Sequence, residues 1–468
     1  MAITLFTAKL RKIIGITGEY LYFCAMNINR DILRIAFPSI LSNITVPLLG
    51  LCDTTIAGHL GDTSFIGGIA VGTMMINVVF WCFGFLRMGT TGLTAQACGA
   101  GDDAQVARVF SRAFFLASGI GVVIVLLQWP LRELVLRIIS PEAGVGSLAK
   151  SYFSTVIWGA PAMLATMSVS GWFLGMQSGV CPMVVAVATN VVNIGVSVLC
   201  AFGLDMGFMG TAIGTLTANW FGLLLALLLA WRFHGRKLPF CSLGQALAWT
   251  GMGRFFRVNS DIFLRSFCIM AVSMGVTAIG ARLGSDILAT NAVMMQFFIL
   301  FSYFMDGFAF SAEALTGKCV GGGDTLLMGR TVRYMMLWGA AMALCFTLLY
   351  IAFYGQIGAF ITDDPVVLGH LVRYRVFLFA IPCITVAAFI YDGIYIGLTA
   401  TRAMLVVTML SALVFFAINF IPVCGQLSGF QGNARLWTAF LSYLFVRGVG
   451  LCLLYRKNVR RVMPVLVK

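Results

Sequence analysis

Acidic side chains are scarce in this chain: 17 Asp and Glu among 468 residues, beside 31 Lys and Arg and 3 His. Charged residues make up only 10% of the sequence, where a soluble domain usually carries about 25%. An ordinary water-facing surface is therefore excluded. The 13 cysteines show no Cys-x-x-Cys spacing and are scattered through apolar stretches. They read as small buried hydrophobes rather than disulfides or a metal site. No aspartate pair of the DxxxD or DDxxD kind falls in a predicted membrane segment, since Asp363-Asp364 lies in an expected external loop. That argues against a metal-dependent membrane enzyme such as a prenyltransferase, and the lack of a filter-like segment argues against a channel. No stretch near the start reads as a cleavable signal peptide. Lys9, Arg11 and Lys12 precede a short apolar stretch broken by Glu19, with no small-residue cleavage site. Residues 1–25 read as an upstream extension or a loose interfacial helix ahead of Met26.

Apolar residues are abundant: 60% of the chain, with a mean hydropathy of +0.96. They come in blocks near 35–56, 66–86, 106–129, 152–176, 180–203, 208–231, 258–281, 287–315, 334–354, 371–397, 403–424 and 434–455. Each approaches the roughly 20 residues that cross a bilayer as helix. The chain reads as an all-α integral membrane protein with twelve transmembrane helices and both termini on one side. A net charge of +14 might suggest nucleic acid, but the placement of the charges points to a lipid bilayer instead. Most Lys and Arg, from Lys9 and Arg34 through Arg87, Arg254, Arg402 and Arg447 to Lys468, fall at the termini and even-numbered loops. Only Arg132, Arg137, Lys150, Arg282, Arg373, Arg375 and Arg435 fall opposite, and Arg265 is the one basic residue placed well inside a span. The positive-inside rule then puts both termini in the cytoplasm, as expected for a bacterial inner-membrane protein.

The second half repeats the first. Leu93-Thr94-Ala95-Gln96-Ala97-Cys98-Gly99-Ala100-Gly101-Asp102 matches Leu315-Thr316-Gly317-Lys318-Cys319-Val320-Gly321-Gly322-Gly323-Asp324, 222 residues on. Arg108 and Arg330, and Gly175 and Gly397, keep that offset; Pro161 and Pro382 differ from it by one. Six helices per copy make the copies parallel, related by an axis along the membrane normal, and two such bundles around a central cavity suit a transporter. The division expected is an extension at 1–30, an N-lobe at 31–234, a polar connector at 235–254, a C-lobe at 255–456 and a basic tail at 457–468.

Pro47-Leu48-Leu49-Gly50-Leu51-Cys52-Asp53-Thr54-Thr55-Ile56-Ala57-Gly58-His59-Leu60-Gly61 resembles the first-helix signature of multidrug and toxic compound extrusion (MATE) transporters. Phe85-Leu86-Arg87-Met88-Gly89-Thr90-Thr91-Gly92-Leu93-Thr94-Ala95-Gln96, Asp306-Gly307-Phe308-Ala309 and Tyr391-Asp392-Gly393-Ile394-Tyr395-Ile396-Gly397 resemble that family's DNA-damage-inducible protein F branch. The likeness runs from about residue 30 to 455. It implies a V-shaped pair of lobes and efflux of amphipathic, often cationic, small molecules driven by entry of H+ or Na+, with no other cofactor and a monomeric state.

Ionisable groups inside a membrane cost on the order of 2.5–3.5 kcal/mol each on insertion scales, so each needs a reason. Asp53 is the only charge in the first block and matches the family's N-lobe cation-site aspartate. Asn190, Asn193, Thr211, Thr215 and Thr217 are candidates for a polar shell around it, although Asn and Thr also join membrane helices structurally. Related sequences commonly carry a second aspartate where this chain has Ser197, which weakens a two-carboxylate relay. In the second half, Asp392 matches a C-lobe carboxylate that binds Na+ in some family members. Asp261 and Arg265, four apart, are expected to neutralise each other on one helix face and are also candidates for the substrate cavity. Asp306 and Glu313, two turns apart, and Met295, Phe297, Phe298, Tyr303, Phe310 and Tyr395 are candidates to line the cavity. Arg87 and Arg402 are expected to snorkel at helix ends. The resemblance also suggests that helix one bends at Pro38 or Pro47 around Asp53. The main alternative, a lipid-linked precursor flippase of the same superfamily, would call for a strongly cationic cavity, whereas one interior Arg makes this one look acidic.

Overall fold

The computed structural model describes residues 2–59, 63–235, 252–420 and 429–463, and no strand occurs among them. Twelve helices are long and apolar enough to cross a membrane. They are α1 (Ile28–Gly58), α2 (Ser64–Gly99), α3 (Asp103–Leu126), α4 (Gly144–Gly175), α5 (Val180–Gly203), α6 (Phe208–Phe233), α7 (Gly253–Leu283), α8 (Ser285–Gly322), α9 (Thr325–Ile361), α10 (Pro365–Gly397), α11 (Thr401–Phe420) and α12 (Phe430–Val462). The polar connector expected at 235–254 and the tail at 457–468 lie largely or partly outside the described residues. With backbone groups unable to reach water in a bilayer, continuous helix is the form that satisfies them internally. Where the α-helical pattern loosens, it tightens to a 3-10 turn at Trp81–Gly84 and Ile157–Gly159 or widens to a π turn at Leu199–Gly203.

The sequence repeat is a repeat of physical devices. Asp102 caps α3 by accepting from the Gln105 N–H, and Asp324 caps α9 by accepting from the Leu327 N–H, each at 2.8 Å. Such caps satisfy an orphan donor at the helix start. Gly101 and Gly323, just before them, adopt φ of +71° and +70°, a region that glycine enters without strain. Gln177 and Thr399 also take positive φ, and their N–H groups bond to Leu174 O and Ile396 O, both at 2.9 Å. Every one of these pairs is 222 residues apart.

Glycines bring the two halves into backbone contact. A side chain on Gly99 would collide with the Lys318 backbone, and one on Gly321 with the Gln96 backbone. These are the same contact, repeated with the halves exchanged, so α2 and α8 cross about an approximate two-fold axis. Within each half, Gly171 abuts the Arg87 backbone and Gly175 packs on Thr94; their counterparts Gly393 and Gly397 meet the Ala309 backbone and Thr316. Small residues at crossings allow the close approach from which helices in lipid gain their packing energy. The conserved spelling of the repeat thus maps onto a crossing (Gly99, Gly321), a turn (Gly101, Gly323) and a cap (Asp102, Asp324). Further contact between the halves comes from α1, which packs along α8 and donates from Asn43 Nδ2 to Tyr303 O at 3.1 Å.

Candidate transport cavity

Beyond the α2–α8 crossing the helices part around a cavity of about 860 Å³, walled by α2, α4, α7, α8, α10 and α12. Met88, Met163, Met167, Met295, Phe298, Phe310 and Tyr303 supply apolar and aromatic surface. Its charges are Arg87, Arg265 and Arg447 against Asp306, Glu313 and Asp392, three of each sign.

Helical geometry sets their pairing. Arg87, on α2, donates from Nη1 to Glu313 Oε2 on α8 at 3.1 Å and stacks its guanidinium 3.9 Å from the Phe310 ring centre. On α10, Asp392 Oδ2 accepts from Arg265 Nη1 on α7 at 2.8 Å and also pairs with Arg447 Nη2 on α12. Arg447 in addition donates from Nη1 to the Tyr443 hydroxyl one turn earlier, at 3.3 Å. Arg265, Asp392 and Arg447 are 4%, 8% and 7% exposed, so these charges depend on one another for solvation. Asp392 Oδ1, Arg265 Nε and Arg447 Nε are buried without a hydrogen-bond partner. Asp306 faces the cavity and makes no ion pair among the described residues.

Several expectations change. Asp261 and Arg265 do not pair: Arg265 turns to Asp392, while Asp261 accepts from Thr401 Oγ1 at 2.9 Å and from Arg402 Nη1 at 3.4 Å. Arg265 turns toward the carboxylate that the neighbouring helix α10 offers, and Asp261, also buried, lies outside the cavity. Arg87 does not snorkel. The helix expected to end near residue 86 runs to Gly99, because the Thr- and Gly-rich stretch after Arg87 is helical and buried against neighbouring helices. Arg402 is largely exposed, as expected of a helix-end cation, yet reaches Asp261. Arg447, placed with the loop charges on sequence, sits inside α12 and within the cavity. Arg265 is thus not the sole interior cation, and the cavity is balanced rather than acidic. Tyr395 is core, not lining: its hydroxyl donates to Leu451 O at 2.8 Å and accepts from Asn458 Nδ2 at 3.4 Å. Phe297 is likewise fully buried under Tyr350.

In the first half, Asp53 is 7% exposed and its Oδ1 has no hydrogen-bond partner. The expected shell is satisfied within itself. Asn190 Nδ2 donates to Thr45 Oγ1 at 2.8 Å, Asn193 Nδ2 to Thr215 Oγ1 at 3.1 Å, and Ser197 Oγ to Asn193 Oδ1 at 3.3 Å. Thr211 bonds to Phe208 O and Thr215 to Thr211 O, and Thr217 faces outward. None of these reaches Asp53, so the residues are neighbours in sequence pattern and not its ligands here. Tyr152 of α4 lies in the neighbourhood of Asp53, with Thr73 and Thr215 near its hydroxyl. Tyr152 has a signature in the repeat, since Tyr374 stands 222 residues on and both are buried. Among the described residues no three His, Cys, Asp or Glu side chains cluster as a metal site.

Twelve membrane-length helices in two repeated halves around a charge-balanced cavity define a multi-pass membrane transporter. The MatE family model matches residues 38–199 and 262–421, one stretch in each half. DNA damage-inducible protein F of Escherichia coli (strain K12) is 35% identical over 430 residues, spanning 91% of this chain and 92% of that protein. Multidrug resistance protein MdtK of Edwardsiella ictaluri is 23% identical, over 88% of this chain and 92% of its own length. A crystal structure of a mutant form of the Vibrio cholerae MATE transporter VcmN superposes with a TM-score of 0.83, covering 94% of this chain and 98% of that one at 17% identity. The chain belongs to the MATE family, whose members are transporters and not enzymes.

Proposed function

We propose that the chain is an efflux antiporter of a bacterial inner membrane, exporting amphipathic, typically cationic small molecules in exchange for H+ (or Na+). It works as a monomer, with lobes at 31–234 and 255–456 and both termini cytoplasmic. The observation that carries this reading is the contrast between the two buried aspartates. Asp392 is already shared by two guanidiniums, whereas Asp53 is buried and makes no ion pair among the described residues. Of these two, Asp53 is the carboxylate without a counter-ion that a cation arriving from solution would meet. The Met and aromatic walls accept varied apolar bodies, since thioethers and rings adapt to irregular shapes. Asp306, facing that space unpaired, is the group suited to a substrate cation.

Rocking of the lobes about the α2–α8 crossing would open the cavity to each side in turn. Neutralising Asp53 removes the cost of its buried charge and so shifts the balance between the two states. A bend of α1 at Pro38 or Pro47, both inside that helix, is the accompanying movement; solved MATE structures are described as bent and as straight. The test is transport in proteoliposomes under a pH gradient alone and a Na+ gradient alone. Asp53→Asn is expected to abolish transport under either while expression is preserved; full activity of that variant overturns the assignment.

A further inference from the structure

The described structure has a second large cavity, about 1070 Å³, where the start of α7, the α10–α11 turn and the end of α12 meet. Arg254, Arg257, Arg402, Lys457 and Arg461 line it, against a single carboxylate, Asp261. Arg402 is paired with Asp261 at 3.4 Å. Arg254 uses one nitrogen, Nη2, to donate to Gln96 Oε1 at 2.6 Å and Thr399 Oγ1 at 3.1 Å. Arg257, Lys457 and Arg461 are exposed and make no hydrogen bond or ion pair among the described residues. The chain has little to neutralise them. No Asp or Glu lies between Asp205 and Asp261, and none follows Asp392.

The opposite wall is apolar. Val406, one turn beyond Arg402, lines the cavity and is 43% exposed, and Met409, Leu410 and Leu413 continue the exposed face of α11. A ligand that satisfies both walls carries a phosphate at one end and hydrocarbon at the other. We propose that this cavity binds the phosphate headgroup of an anionic phospholipid, with an acyl chain laid along α11. Guanidinium and ammonium groups donate charge-assisted hydrogen bonds to phosphate oxygens, and basic pockets at membrane-helix ends suit lipid headgroups. Because Arg254 also holds Gln96 of the other half, an occupied cavity braces the α2–α8 crossing at the end where the halves touch.

The full chain, reconstituted in phosphatidylcholine nanodiscs with and without phosphatidylglycerol, tests this by native mass spectrometry and melting temperature. No gradient or substrate is needed, so the result is independent of the antiport reading. The wild type is expected to retain phosphatidylglycerol and to melt higher with it. Arg257→Gln/Arg461→Gln should weaken retention by about thirtyfold, since each cation near an anionic headgroup contributes roughly fivefold. The control Arg137→Gln/Arg282→Gln, an equal charge loss outside this cavity, should leave retention unchanged. Should the double variant fail to fold in phosphatidylcholine alone, Lys457→Gln gives the same reading at about fivefold. Retention equal to wild type in the cavity variants overturns the site. Displacement of the lipid by inorganic phosphate overturns the lipid as occupant in favour of a soluble phosphate.

Discussion

The two halves share a frame and differ in what they carry on it. At the offset of 222, Gly84 stands opposite Asp306, Arg87 opposite Ala309, Thr91 opposite Glu313 and Ser170 opposite Asp392. Every carboxylate of the second-half cavity therefore replaces an uncharged residue of the first. The Arg87–Glu313 pair occurs on one side of the approximate two-fold only; its mirror image would be Thr91 against Ala309. The crossing glycines, turns and caps occur in both copies, whereas the cavity carboxylates occur in one. The first half keeps a buried carboxylate without a counter-ion, Asp53, while the second holds Asp392 locked between Arg265 and Arg447. On the proposed antiport reading, the locked charge serves structure and the unpaired one exchanges a cation.

The largest effect that would break this comparison concerns stability. Asp392→Leu leaves two guanidiniums facing each other without a counter-ion, and a loss of about 3–5 kcal/mol is expected, as for other buried pairs with one member removed. Asp53→Asn removes an uncompensated charge and should leave unfolding unchanged or slightly harder. Reversible unfolding in mixed micelles compares the two, and equal destabilisation would erase the distinction between locked and free carboxylates. Next, Arg87→Gln and Glu313→Gln singly and together form a double-mutant cycle, with a coupling energy of about 1–3 kcal/mol expected. The same cycle on Thr91 and Ala309, substituted by Val and Gly, should show almost none. The caps come third: Asp102→Ala and Asp324→Ala should each cost about 1 kcal/mol, and a clear inequality would mean the repeat is not mechanically equivalent.

The smallest effect belongs to Glu133, outside the spans, where hydrogen bonds from Lys150 (3.1 Å) and Arg132 (3.0 Å) hold its carboxyl below the usual glutamate range. A lowered folded-state pKa contributes stability above the unfolded value that is lost as pH falls through the folded one. The melting difference between wild type and Glu133→Gln should accordingly shrink toward the acid side. A difference that instead grew would show that the pairing is absent in solution.

The α2 boundary shows where sequence reading stopped. Hydropathy ended that helix near Leu86, because Thr90, Thr91, Thr94 and Gln96 look like loop residues; yet Thr90 and Thr91 return their hydroxyls to carbonyls four residues back and Gln96 bonds across to the other half. A side chain that satisfies itself within a helix carries no hydropathy signal. The Asp261–Arg265 pairing failed for a related reason, since spacing along one helix says nothing of what a neighbouring helix offers. Arg447 is the converse case: it lies inside the apolar block 434–455, and its place in the sequence already separates it from the loop cations.

Membrane class, twelve crossings and the duplicated frame are written in composition, block length and constant spacing. These are local or periodic properties, imposed by the thickness of a bilayer and the need to satisfy the backbone within it. Which charges meet was decided by tertiary structure alone. Arg87 and Glu313 are 226 residues apart, and Arg265 and Asp392 127 apart, and their pairing follows from how closely glycine lets α2 approach α8 and from which helices surround the cavity. A direct ion pair needs its charged groups within about 4 Å of each other, and no one-dimensional pattern records that distance.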